Sequence, residues 1–272
     1  MIFSNFYKKI INKYSISNSS QKDIFLVTGA ARSGTSLMMQ LLKESGIFIG
    51  SPGDFIGADI SNPRGYFEQP EVILFQNALL KQSISRDSAI LSDNFSFRTK
   101  GLIKKFQRFC TKIKIAKFLL RIHNQANDSW ALKIDIPFFS QWQNYVSNFK
   151  VILTYRNPII TAHSGMKYRN FSRSFNDYIL GWERRYREAI YYYGRYPSII
   201  INYDDLLDPN KKEEILKKLI SFTGRGSLDN LKKVINLNLN RSSGEMKKII
   251  DIYPLPQSTK EVLAALEKIK VN

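Results

Sequence analysis

One cysteine and two histidines are all that this 272-residue sequence offers of the residues that build disulfides and many metal centres. Cys110 has no partner for an intrachain disulfide, so the fold does not draw on an oxidising compartment. No Cys/His cluster has metal-ligand spacing, and no serine-nucleophile motif occurs. Nor does any stretch approach the roughly 20 apolar residues of a membrane span. The opening residues, MIFSNFYKKIINKYSISNSS, lack a continuous apolar core, so neither a secretory signal nor an anchor is expected there. A cytoplasmic setting is expected. Acidic residues are scarce: 23 Asp+Glu face 41 Lys+Arg, a net charge of +18. A surplus of that size implies anionic partners, and by itself leaves nucleic acid, acidic lipid headgroups and nucleotide-type substrates open.

What is present reads as one core with a small appendage. Residues 1–22 form a basic N-terminal arm ending in a polar turn, and 23–272 a single domain. IFLVTGA (24–30) is short, apolar and glycine-ended, as a buried parallel strand should be. TSLMMQLLKESG reads as a helix with Leu37, Met38, Leu41 and Leu42 on its apolar face, closed by Gly46. An irregular loop (51–70) and a helix from Pro70 to about Gln82 follow. Further strands are expected at 130–136, 150–156 and 198–203, with helices from near Pro158 and from about Ser174 to Tyr193. The tail from Lys211 reads as mostly helical. Strands separated by helices indicate an α/β fold with a largely parallel sheet.

Between Phe95 and Arg121 there are nine basic residues and no acidic one. Lys100, Lys104, Arg108 and Lys112 recur every four residues, with Leu102, Phe106, Phe109 and Ile113 at helical spacing. That pattern predicts a basic amphipathic helix. Two readings of its charged face stay open: a solvated surface over the core, and a peripheral docking face for a membrane or an acidic acceptor.

The loop after the first strand carries the chemistry. Residues 29–34 fit G-x-x-x-x-G, yet Thr35 stands where a nucleotide-triphosphate loop has its lysine. Backbone N–H groups at a glycine turn leading into a helix N-terminus form an anion cradle. Ser33, Thr35 and Ser36 add hydroxyls, and Arg32 adds a planar fork of donors. A second constellation, TYRNPIITAHSG (154–165), puts Arg156 at the end of an apolar strand and Ser164 in the next helix. In a parallel sheet, strand C-termini share one edge with the phosphate loop, so Arg156 and Ser164 are candidates for a second phosphate of the same nucleotide.

The pair A-R-S-G-T-S and Y-R-N-P-(x)5-H-S-G resembles the two nucleotide-binding signatures of sulfotransferases that use 3′-phosphoadenosine 5′-phosphosulfate (PAPS). The resemblance implies that Arg32, Ser33, Gly34, Thr35 and Ser36 hold the 5′ phosphosulfate, and that Arg156 and Ser164 hold the 3′-phosphate. PAPS has no β–γ phosphate tail and needs no magnesium, so a loop without the lysine suits it. NPRGYFEQPEV (62–72) resembles a segment common in bacterial members. IINYDDLL (200–207) is similar to their strand end, which makes Tyr203 a nucleotide contact. LNRSSGEMKK (239–248), with Arg241, is loosely like a segment that closes over PAPS. The fold so implied is a P-loop-NTPase-like three-layer α/β domain, its mainly parallel central sheet flanked by helices.

Sulfuryl transfer needs a base for the acceptor hydroxyl and cationic donors at the leaving oxygen. Arg32 and Lys133 supply charge. Glu68 in GYFEQ is the favoured base. Asp135 competes, because KIDIP can be laid over the Lys-Thr-His-x-Pro of cytosolic members with Asp135 at the histidine. His163 is expected to point elsewhere than the 3′-phosphate, and His123 stands with no evident partner. The expected partners are PAPS and a small-molecule or glycan acceptor, a carbohydrate or glycolipid by analogy with bacterial relatives; no metal and no nucleic acid are expected. Two other classes keep a place: a P-loop small-molecule kinase dependent on magnesium and ATP, and a basic nucleic-acid- or membrane-binding module without catalysis.

Overall fold

Four short apolar runs pair as one all-parallel sheet: β1 (Asp23–Thr28), β2 (Ser129–Lys133), β3 (Lys150–Tyr155) and β4 (Ser198–Asn202). The computed structural model describes residues 22–58, 65–87, 96–136, 148–168, 174–236 and 253–270, with 142, 143, 145, 146 and 250 between them. Of residues 79–87, 96–109 and 168 the backbone alone is described. Strand order is β2-β1-β3-β4. Registers such as Val27↔Lys133, Thr28↔Leu153 and Tyr155↔Asn202 bring the carboxyl ends of all four strands to one rim.

That order fixes where a ligand crevice opens. After β1 the chain leaves for β2 on one side of the sheet; after β3 it leaves for β4 on the other. The connections that follow the neighbouring strands β1 and β3 therefore diverge, leaving a gap above their carboxyl ends. The loop 29–34 and the turn at Arg156–Asn157 flank that gap.

Strand side chains alternate between two faces, and both are covered. Phe25, Val27, Ala131, Ile152 and Ile201 pack against α1 (Thr35–Glu44) through Leu37, Met38, Leu41 and Leu42. Burying each such side chain contributes about 1.5–3 kcal/mol. Ile24, Leu26, Trp130 and Leu132 face the other way, against Phe75 of α2 (Pro70–Asp87) and the residues 115–122 of α3 (Ser96–Gln125). A helix α4 (Pro158–Tyr168) follows β3. Leu153, Tyr155 and Ile200 meet Trp182 and Tyr186 of α5 (Phe175–Tyr192), whose start is held by a capping box between Ser174 and Asp177. After β4 come α6 (Tyr203–Leu207), α7 (Lys212–Thr223), α8 (Leu228–Asn236) and α9 (Gln257–Lys270). The protein is thus α/β, the described residues forming an open four-stranded parallel sheet flanked by helices.

Several boundaries differ from the sequence reading. Gly29 and Ala30 leave β1 for the loop, Ile134–Ile136 lie beyond β2, and Arg156 and Tyr203 stand just past their strands. Each lies past the last rung of its ladder, where the chain turns onto the rim. The helix from Pro70 runs to Asp87 rather than Gln82, and the basic helix extends to Gln125. There Lys22 Nζ donates to the carbonyls of His123 and Ala126 at 2.7 and 2.8 Å, a cation closing a helix C-terminus. Lys22 belongs to the body; residues 1–21 lie outside the described residues. So do Arg241 and the side chains of Lys100, Lys104 and Arg108; Lys112 is partly buried. No helix among the described residues is long and apolar enough to cross a membrane.

Candidate functional site

The loop after β1 turns through two left-handed residues, Arg32 (φ 71°) and Gly34 (φ 95°). Such residues let successive N–H groups open into one concavity. Gly34 is also the N-cap of α1, where no side chain caps the helix and no acidic residue occupies the first turn. The positive end of the helix dipole therefore faces the rim uncompensated from within α1. Gly34 leaves no room for a side chain unless the Tyr203 ring shifts: an added Cβ would lie 2.1 Å from Tyr203 Cδ2, and its φ disfavours any L side chain.

Beneath the loop is a buried support that sequence reading missed. Tyr186 is fully buried; its hydroxyl accepts from Ala30 N–H at 3.0 Å and donates to the Thr154 carbonyl at 2.7 Å. Burial pushes its phenol well above the usual range, against the hydrogen bonds from Ser33 and Ala30, so it stays a neutral donor. The available signal was a tyrosine on the apolar stripe of α5, which does not distinguish core packing from loop support. Ser33 is placed otherwise than expected. It is fully buried and its hydroxyl meets Thr154 Oγ1 at 3.1 Å, so that hydroxyl serves the core rather than the rim.

Arg156 follows β3 with its side chain 12% exposed, so it is held rather than splayed into water. Its Nε donates to Asp204 Oδ1 at 2.8 Å, and its guanidinium carbon lies 4.8 Å from the centre of the Tyr203 ring. Nη1 and Nη2 meet no acceptor among the described residues. Ser164 is buried on α4, and its Oγ accepts from Arg32 Nε at 3.0 Å. The two motifs are thereby joined twice: Arg32 to Ser164, and Gly34 to Arg156 through the Tyr203 ring.

On the β2 side of the loop, Lys133 Nζ lies 2.6 Å from Glu68 Oε1. The same ammonium donates to Ser36 Oγ at 3.3 Å and to the Tyr66 carbonyl at 3.1 Å, and Ser36 Oγ donates to Tyr66 O at 3.2 Å. Lys133 and Glu68 are 13% and 27% exposed, so their attraction is less screened than at an open surface. Between Tyr66 and Glu68, Phe67 holds φ 51°, a costly conformation for an aromatic residue. That turn brings a carbonyl and a carboxylate onto one ammonium.

No protein-family model matches this chain, and no curated protein does.

Asp135 stands apart from that cluster. Its Oδ1 accepts from Arg185 Nε at 3.3 Å and from Ile136 N–H at 3.0 Å. Nearby, burial and the charge of Asp135 raise the Glu188 carboxyl above its ordinary value, partly opposed by Arg185. His123 does have a partner, contrary to expectation: its Nδ1 accepts from the buried Trp130 Nε1 at 3.1 Å. The indole one rung along β2 faces α3, a contact that sequence separation does not announce. His163 Nδ1 is buried without a hydrogen-bond partner among the described residues. Among the described residues no cluster of His, Cys, Asp or Glu has the makings of a metal site. The arrangement offers a helix N-terminus and two arginines for anions, beside a lysine–carboxylate pair able to move a proton.

Proposed function

We propose that this chain is a PAPS-dependent sulfotransferase, transferring a sulfuryl group to a hydroxyl or amine of an acceptor, with carbohydrate or glycolipid as the acceptor class. The reading includes a P-loop-NTPase-like form of the α/β fold. One observation carries it: the Tyr203 ring touches both Gly34 and Arg156, so two anion-holding features lie one aromatic ring apart on a single rim. A molecule with phosphates at both ends of an adenosine suits that spacing better than a triphosphate tail, for which the loop lacks a lysine.

In this reading the first-turn N–H groups of α1, with Thr35 and Ser36, hold the 5′ end. Arg156 offers Nη1 and Nη2 to the 3′-phosphate with Ser164 beside it; Arg32, bonded to Ser164 through Nε, adds charge at the 5′ end, and Tyr203 lies against the nucleoside. When bound, PAPS supplies the activated sulfur: its bond to the phosphate oxygen breaks as the acceptor oxygen bonds to sulfur. Glu68 takes the proton the acceptor loses, and Lys133 donates to the oxygen that gains charge. Glu68 is preferred to Asp135 because it shares the ammonium of Lys133, whereas Asp135 is engaged by Arg185.

Calorimetric titration with 3′-phosphoadenosine 5′-phosphate, with AMP as control, tests the proposal. A 3′-phosphate held by charge-assisted hydrogen bonds should favour the first ligand by about 10- to 100-fold. Equal affinity overturns it, and magnesium-dependent ATP binding would select the kinase reading.

A further inference from the structure

The helix α9 packs Val262 and Leu266 against the sheet and sends one carboxylate to the strand ends at the rim. Glu267 Oε1, on α9, accepts from Tyr155 Oη at 2.7 Å and from Asn202 Nδ2 at 3.1 Å. Its Oε2 accepts from Lys270, whose Nζ also reaches Asp205 Oδ2 at 2.7 Å. Both donors to Oε1 occupy telling positions. Tyr155 is the residue before Arg156, and Asn202 the residue before Tyr203.

The Asn202 amide has two ends and both are used. Its Oδ1 accepts from Asp204 N–H at 2.9 Å and, at 3.4 Å, from Asp205 N–H, capping α6. Its NH2 is taken by Glu267. A flipped amide would set N–H against N–H at the cap and oxygen against carboxylate at α9, so Glu267 selects the orientation that caps. The capped turn then presents Tyr203 and Asp204, which hold Arg156 by its face and by Nε. Tyr155 gives a second, shorter route from Glu267 to the Arg156 backbone.

The charges around this carboxylate keep the linkage intact. Burial raises the Tyr155 phenol far above its usual range, with the Glu267 hydrogen bond and charge adding to it, so the hydroxyl remains a donor. Burial disfavours charge on Asp205, but hydrogen bonds from Lys211 and Lys270 outweigh it and hold the carboxyl below its ordinary value.

We infer that Glu267 is a positioning residue for the anion grip at Arg156, acting from the C-terminal helix through Asn202 and Tyr155. This rests on reading Arg156 as the holder of a 3′-phosphate. It predicts that α9, which contributes no group to the grip itself, sets the preference for a 3′-phosphorylated nucleotide.

The test is the ratio of affinities for 3′-phosphoadenosine 5′-phosphate and AMP, measured on the full chain. Glu267→Ala should lower that ratio about tenfold, since it removes the charged acceptor of two hydrogen bonds. Glu267→Gln keeps an oxygen for both donors and should retain most of the preference. In an Arg156→Ala background, Glu267→Ala should change the ratio no further. An unchanged ratio in Glu267→Ala, or an additive loss in the double variant, overturns the inference. If circular dichroism shows Glu267→Ala unfolded, Tyr155→Phe removes one donor and should lower the ratio about threefold; no change there overturns the inference equally. A wild-type ratio near one is a different result: it removes the reading of Arg156 first, and this inference with it.

Discussion

The guanidinium of Arg156 lies over the face of Tyr203, 4.8 Å from its centre, and the same ring abuts Gly34. A cation on a π face is worth about 0.5–2 kcal/mol, and here it joins two motifs far apart in sequence. Substituting alanine for Gly34 should break this arrangement. Its Cβ collides with the ring and its φ of 95° is unfavourable, so Gly34→Ala should lower stability by about 1–3 kcal/mol and weaken nucleotide binding. Denaturant unfolding and calorimetry measure the two effects; a variant with wild-type midpoint and affinity would show that the ring does not press on the loop.

Arg156→Ala should weaken 3′-phosphoadenosine 5′-phosphate by about 10- to 100-fold and AMP hardly at all. Parallel losses for both ligands would instead make Arg156 a general support of the rim, stacked on Tyr203 for structural reasons.

Turnover separates the two carboxylates. Glu68→Gln should depress the catalytic rate by about 10²–10⁴-fold with little change in nucleotide affinity, the size expected for losing a general base. Asp135→Asn, whose side chain pairs with Arg185, should cost far less. The opposite order in a sulfuryl-transfer assay would move the base to Asp135.

Tyr186→Phe tests the buried support under the loop. It leaves the Ala30 N–H without its acceptor and the Thr154 carbonyl without its side-chain donor, which should cost about 1–3 kcal/mol in urea unfolding. A neutral substitution would mean that neither group depends on the phenol.

His123 provides a pH readout. Burial, and then the charge of Lys22, lower its pKa below the ordinary 6.5. Neutral His123 accepts the Trp130 N–H, so its stabilising contribution is complete above pH 6.5 and declines as pH falls toward the lowered folded value. The sequence has two histidines, so ring resonances in a nuclear magnetic resonance titration can be assigned by single substitution. The His123 midpoint should fall below 6.5, and a midpoint above it would contradict the buried acceptor role.

Strands β1, β2, β3 and β4 were legible because each is a short apolar run bounded by a turn or proline signal, and the longer helices because their apolar residues repeat at helical spacing. Local pattern also marked Gly34 and Arg156, since a glycine turn before a helix and a residue at a strand end are features of neighbouring positions; Tyr203 was marked only by the family resemblance. The burial of Ser33, the Trp130–His123 hydrogen bond and the support from Tyr186 were not legible. Each depends on which face of a helix lands on which strand, and hydrophobic burial determines that without leaving a residue-specific mark. The sequence by itself determined the element types and the side of the sheet where functional groups collect, because backbone hydrogen bonding and side-chain alternation are local rules. Only the tertiary structure decided that Glu68 meets Lys133, that Arg32 meets Ser164 and that Glu267 reaches Asn202. Those pairings follow from strand order and helix docking, which set distances between residues that no spacing along the chain encodes.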